Sequence, residues 1–192
     1  DGDDNLAGGN GRDTLYGGTG NDTLTGGEDY ATADSDDLYG GDGNDLLISG
    51  QTTTPAAGYE NNGDRLYGGA GNDTLEAGRG KDILFGGAGD GQRDVFVFSG
   101  VADAGLGTSR DVVYDFASGI DDFDLRSIDA NTTVAGDQAF IFPGTAASAN
   151  SIWITDLGAD LLVRGDNNGD GTYDFEIMVA NVNTLVAEDF LL

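Results

Sequence analysis

Residues Gly8 to Thr25 read GGNGRDTLY and then GGTGNDTLT, one nine-residue sentence written twice: Gly-Gly-x-Gly-x-Asp-x-Leu-x. A repeat this short and regular leaves few folds open. Its glycines let the backbone take positive φ and crowd against a neighbour. The residues around its eighth position (TLY, TLT, LLI) alternate outward, inward, outward, as a very short strand does. One leucine per nine residues cannot make a core alone, so the units must stack, leucine over leucine and aspartate over aspartate. A stack of carboxylates repels itself unless cations lie between them. Oxygen donors from carboxylates and loop carbonyls suit a hard ion, and pliable loops suit calcium better than magnesium. A Gly/Asp-rich flexible tail would need no period, and the in-register leucines count against it.

The repeat runs to about residue 97. The first copy is partial, Asp1 to Ala7, with Asp4 and Leu6 in the key places. The second and third carry Asp13 with Leu15 and Asp22 with Leu24. The fourth opens on Gly26-Gly27, wanders through EDYATAD and recovers at Asp36 and Leu38. The fifth, GGDGNDLLI, holds Asp45 and Leu47. The sixth, SGQTTTPAAGYENNGDRLY, recovers only at Asp64 and Leu66. The seventh holds Asp73 and Leu75; the eighth, AGRGKDILF, opens on Ala77 and holds Asp82 and Leu84. The ninth, GGAGDGQRDVFVF, ends on Asp94 and Phe96.

The charge agrees with this reading. Eight Lys and Arg face 35 Asp and Glu, a net charge of −27. Such a chain repels nucleic acid and anionic membranes, and without cations it repels itself, so its folding is expected to depend on them. The absence of Cys excludes disulfides and thiol chemistry. The absence of His removes the commonest general base and transition-metal ligand. No apolar run approaches the roughly 20 residues of a membrane helix, and no secretory signal peptide is visible at the start. The chain opens inside a repeat, without an initiator Met, which reads as a piece of a longer protein.

The nonapeptides resemble the RTX calcium-binding repeats of secreted bacterial proteins, which form a parallel β-roll. The resemblance implies an all-β fold, two nonapeptides per right-handed turn, and loops n and n+2 stacked with calcium between them. Carried over, one edge pairs Asp4, Asp22, Asp45, Asp73 and Asp94, and the other pairs Asp13, Asp36, Asp64 and Asp82. The resemblance also implies carbonyl ligands from Gly9, Gly11, Gly18, Gly20, Gly27, Gly41, Gly43, Gly69, Gly71, Gly78, Gly80, Gly87 and Gly89. Both long insertions, residues 28–34 and 51–61, fall in even repeats, where Asp34 and Asn62 replace the fourth-position Gly. Asp and Asn tolerate left-handed backbone less well than Gly. The sequence therefore predicts a regular odd edge, and an even edge with fewer or distorted sites.

From residue 98 the period stops, and a second region, 98–192, is expected to cap the roll as an antiparallel sheet or sandwich. Its expected strands are DVVYDF, DDFDL, QAFIF, SIWITD, ADLLVRGD and YDFEIMV, with Phe140, Phe142, Trp153 and Phe175 in its core. RDVVYDFASGIDDFDL, GDQAFIF, RGDNNGDGTYDFEI and the terminal AEDFLL resemble the C-terminal domain of serralysin-type zinc metalloproteases. The catalytic HExxH helix of those proteases has no counterpart in a chain without His. Asp111 and Asp115 follow the last repeat and are candidates to close its final calcium site. Asp166, Asn168 and Asp170 open like an EF-hand loop, but Ile177 stands where that loop needs Glu, so a tight hairpin turn is the better reading. The ending Glu188-Asp189-Phe190-Leu191-Leu192 is similar to the uncleaved C-terminal signal of type I secretion substrates.

Together these point to a calcium-triggered folding and secretion module, exported by the type I machinery, extracellular, and attached to an upstream domain. The rival is an extracellular polysaccharide-binding module, which wants a basic or aromatic stripe. Arg12, Arg65, Arg79, Lys81 and Arg93 are the candidates for one in the roll. An ice-binding ladder would need Thr-x-Asn in successive repeats, and Thr19-Gly20-Asn21 occurs once. An enzyme in its own right has carboxylates in plenty, but their repeat phase marks them as metal ligands.

Overall fold

A computed structural model describes residues 1–27, 35–50 and 63–192. The insertions, with Asp34 and Asn62, lie outside the described residues. Each copy of the repeat gives one short strand. The repeats give β1 (Asn5–Ala7), β2 (Thr14–Thr19), β3 (Thr23–Thr25), β4 (Asp37–Asp42) and β5 (Leu46–Ile48). They continue as β6 (Arg65–Ala70), β7 (Thr74–Ala77), β8 (Ile83–Phe85) and β9 (Val95–Phe98). Odd strands stack in parallel in one sheet and even strands in another. Register follows the motif: Leu6 pairs with Leu24, Leu24 with Leu47, and Leu47 with Leu75. In the facing sheet Leu15 pairs with Leu38, Leu38 with Leu66, and Leu66 with Leu84. Leu24, Leu38, Leu47, Leu66, Leu75 and Leu84 are all fully buried. Each contributes about 1.5–3 kcal/mol by leaving water, which no isolated repeat could collect.

The roll does not stop where the nonapeptide text does. After a short helix, α1 (Val101–Ala104), β10 (Val112–Tyr114) stacks in parallel on β8. Next, β11 (Asp122–Asp124) stacks in parallel on β9. Both keep the inward column, with Val113 over Leu84 and Phe123 over Phe96. Of the strands expected in the cap, DVVYDF and DDFDL thus extend the roll instead. Only β12 (Ile152–Asp156), β13 (Leu161–Gly165) and β14 (Phe175–Val179) pair antiparallel, and β14 joins the roll in parallel beside β10. The last strand, β15 (Phe190–Leu191), runs parallel to β11 and closes the odd sheet.

QAFIF makes no strand, only an isolated bridge from Ile141 to Ser151. Phe140 and Phe175 are core residues as expected. Phe142 is only partly buried, packed on Phe190 with centroids 4.9 Å apart, and Trp153 is buried outside the main core cluster. Among the described residues no helix is long and apolar enough to cross a membrane.

The outer face of the even sheet carries a feature that the sequence reading missed. Tyr16, Tyr39, Tyr67, Phe85 and Tyr114 stack ring on ring, with centroids 4.6–4.9 Å apart and planes within 10°. They occupy the ninth position of even repeats only, so a nine-residue period hides an eighteen-residue one. This adds an aromatic stripe to the basic candidates named for a glycan module. Tyr67 is stacked on both faces, so Tyr67→Ala is expected to lose about 1–3 kcal/mol, two ring pairs' worth. Tyr16→Ala, which loses a single pair from a ring 66% exposed, should lose less than half as much. Calcium-saturated denaturant unfolding measures both, and equal effects would refute the ladder's role.

Candidate metal centre

Each aspartate of the motif stands two residues before the inward leucine, at the point where the loop enters its strand. In-register stacking carries these aspartates into two columns. In the odd column the Asp4 N–H donates to Asp22 Oδ1 (2.7 Å), Asp22 to Asp45 (2.8 Å), Asp45 to Asp73 (2.8 Å) and Asp73 to Asp94 (3.0 Å). In the even column Asp13 donates to Asp36 (2.8 Å), Asp36 to Asp64 (2.7 Å) and Asp64 to Asp82 (2.6 Å). The n to n+2 pairing of the sequence reading is the pairing observed. The even ladder runs unbroken through the interrupted repeats, because each insertion precedes its aspartate and strand pairing re-establishes register after it.

Two further aspartates complete the columns. Asp82 donates to Asp111 Oδ1 (2.6 Å), which adds Asp111 to the end of the even column. Asp94 donates to Asp121 Oδ1 (2.9 Å), and Asp121 was overlooked. The signal was present: Asp111-x-Val113 and Asp121-x-Phe123 repeat the Asp-x-apolar spacing of every nonapeptide, and each keeps one of its glycines, Gly107 at the second position and Gly119 at the fourth. Asp115 does not join, being exposed with φ of 62°.

From Asp22 and Asp36 onward, one oxygen of each carboxylate thus accepts the N–H of the preceding rung. The Oδ2 oxygen is buried without a hydrogen-bond partner in Asp13, Asp22, Asp45, Asp73, Asp82 and Asp111. Buried polar atoms are ordinarily paired, so this recurrence marks ligand positions rather than accidents. Where a repeat opens on glycine, that glycine makes the room. A Cβ on Gly68 would lie 2.5 Å from both Asp73 Oδ2 and the Gly86 carbonyl oxygen of the next turn. A carboxylate oxygen and a carbonyl oxygen therefore share one small space. Beside them the second and fourth glycines turn the loop through positive φ, as at Gly41 (116°) and Gly43 (132°). Gly78, next to Ala77, is absent from that positive-φ set. Among the described residues no three carboxylates converge on one point. A cation held here would take its remaining ligands from main-chain carbonyls, an all-oxygen set suited to calcium.

The electrostatics agree. Burial lifts Asp45 above the usual carboxylate range, Asp73 to about 6 and Asp94 to about 7, with neighbouring carboxylates adding to each. Asp82 and Asp111 are also raised well above that range, by burial first and then by repulsion within the column. Carboxyls raised in the folded state contribute stability that is complete below the unfolded value near 3.8 and is lost as pH rises through 6 to 7. The metal-free roll is therefore expected to be more stable near pH 4.5 than near pH 8. Thermal unfolding in chelator at the two pH values measures this, and greater stability at the higher pH would contradict it.

The EF-hand-like stretch forms the hairpin turn joining β13 and β14. Asp166 is buried, but its oxygens accept the N–H groups of Asn168 (3.0 Å), Gly169 (2.7 Å) and Gly171 (2.7 Å). Asn168 accepts from Asp170 N–H (3.0 Å), and Asp170 accepts from Thr172 N–H (2.8 Å). These groups close a turn and do not converge on a ligand.

The family model described as peptidase M10 serralysin C terminal matches residues 3–192. A comparison with curated protein sequences found no match. Among solved structures the chain is similar to the R3 and R2 subunits of AlgE6, a mannuronan C5-epimerase from Azotobacter vinelandii. The R3 match has 22% identity and a TM-score of 0.48, covering 94% of this chain and 78% of that one. The R2 match has 21% identity and a TM-score of 0.49, covering 97% of this chain and 91% of that one.

Proposed function

The chain belongs to the peptidase M10 serralysin C-terminal family, and on that premise we propose that it is a calcium-binding module whose folding is driven by the metal. The observation that carries this reading is the pair of carboxylate columns, with buried, unpartnered Oδ2 oxygens at Asp13, Asp22, Asp45, Asp73, Asp82 and Asp111. Asp4, Asp22, Asp45, Asp73 and Asp94 would hold ions along one edge, and Asp13, Asp36, Asp64, Asp82 and Asp111 along the other. Calcium would supply the positive charge these columns lack. Around it, the protein's own groups orient the oxygens through the N–H ladder and exclude water with the leucine columns.

In this reading the module catalyses nothing, since its carboxylates are committed to the columns, and an upstream domain would carry any activity of a longer protein. Export is the second part of the proposal. In a calcium-poor cytoplasm the columns repel and the chain stays open for a type I exporter; outside, calcium folds it. Asp189 of the C-terminal motif is buried in the folded state, accepting from Ser118 Oγ (2.7 Å), Gly119 N–H (2.6 Å) and Val186 N–H (2.8 Å). A signal placed there would be readable only before folding. The polysaccharide reading is weaker: the ring ladder covers its own faces, leaving Tyr16 at its end as the ring best placed to stack on a sugar. A calcium titration of the chelated chain followed by circular dichroism, with magnesium alongside, tests the proposal. A chain already folded in chelator would sink it.

A further inference from the structure

The two columns differ at the first position of their repeats. In the odd column that position is Gly17, Gly40, Gly68 and Gly86; in the even column Gly8 and Gly26 give way to Ser49 and Ala77. Stacking at this position is intact. A Cβ on Gly8 would meet the Gly26 carbonyl oxygen at 2.6 Å, and one on Gly26 would meet the Ser49 carbonyl oxygen at 2.6 Å. Gly27 N–H donates to Ser49 O (3.2 Å), and Ser49 N–H donates to Glu76 O (3.1 Å). Ser49 is therefore a full member of the column, not a residue displaced by the insertion that follows it.

A side chain at this position points at the carboxylates. The ideal Cβ of Gly26 lies 2.5 Å from Asp36 Oδ2. Ser49, in the same place one turn on, puts a hydroxymethyl group into the equivalent space. It is fully buried, and its Oγ is the one hydroxyl oxygen among the described residues that is buried without a hydrogen-bond partner. A hydroxyl withdrawn from water is costly unless something replaces the lost interaction. A lone buried serine could be a packing compromise. One standing in a column whose other unpartnered atoms are carboxylate oxygens shares their chemistry.

We propose that Ser49 Oγ is a cation ligand, which gives the even column a hard-ion site with a hydroxyl donor that the odd column lacks. The neutral oxygen suits calcium as the carbonyls do, and adds a donor without adding charge to an already acidic column. The assignment rests on the calcium reading above, and its test separates the two.

Calcium isotherms of the intact chain, Ser49→Ala and Ser49→Gly, together with a calcium-loaded crystal of the intact chain, decide it. The expected result is that both variants lose about tenfold in affinity at one class of site, while the other sites keep theirs. In the crystal an ion is expected about 2.3–2.6 Å from Oγ. Unchanged isotherms, or a loss in Ser49→Ala that Ser49→Gly does not share, would overturn the assignment, the latter because it marks crowding rather than a lost donor. Ions along both columns with none in reach of Oγ would overturn it alone. No ion at any rung would overturn the calcium reading with it.

Discussion

Calcium added to the chelated chain is expected to convert it cooperatively from coil to β structure, with magnesium failing to do so. The aspartates of the two columns sit one rung apart, about 4.8 Å along the sheets. At an effective dielectric near 20, each ionised neighbouring pair repels by roughly 3 kcal/mol. Protonation relieves some of this, as the raised Asp73 and Asp94 show, but near pH 8 little of that relief remains. Against it stand inward columns that are complete only when the turns are stacked. Each calcium held at 100 times its dissociation constant adds about 2.7 kcal/mol to the folded state. Several sites therefore move a domain whose whole stability is about 5–15 kcal/mol from one side of the balance to the other. Magnesium demands near-ideal octahedral geometry and gives up its water reluctantly, which a cradle of carbonyls shaped by glycine turns serves poorly. Equal folding with magnesium would show that charge neutralisation alone suffices.

Gly68→Ala is expected to be among the most damaging single substitutions in the roll. The backbone there needs no left-handed conformation, so the cost is steric. The new methyl would lie 2.5 Å from Asp73 Oδ2, 2.5 Å from the Gly86 carbonyl oxygen and 2.9 Å from Asp73 Cβ. Neither oxygen can retreat, since Asp73 is fixed through Oδ1 to Asp45 N–H (2.8 Å) and the Gly86 carbonyl accepts from Gly69 N–H (2.9 Å). A loss of about 3–5 kcal/mol is expected in calcium-saturated unfolding, with one site missing from the calcium isotherm. The same position of the eighth repeat supplies the control. Ala77 already carries a methyl, so Ala77→Gly should cost only about 1 kcal/mol. A Gly68→Ala chain as stable as the parent would show that the first glycine is not the cradle described here.

The difference between these two positions shows how far the repeat can be read from its letters. The nonapeptide determined that the units stack with leucines inward and aspartates aligned, because one leucine per nine residues is buried only against its neighbours; the parallel roll and the pairing of aspartates n with n+2 were what its resemblance to the RTX repeats implied. What it left out was decided by stacking across distant residues. Asp121 joins the odd column because β11 lies on β9, with Gly119 (φ 81°) alone left of the repeat's glycines to mark the turn. The ring ladder exists because alternate repeats share a sheet. QAFIF alternates like a strand yet finds no continuous partner, and the cap is parallel at the roll and antiparallel only beyond it. Alternation sets which face a residue presents. Which strand it meets, and in which direction, is set by the packing of the completed column, and the hydroxyl of Ser49 acquires its surroundings only there.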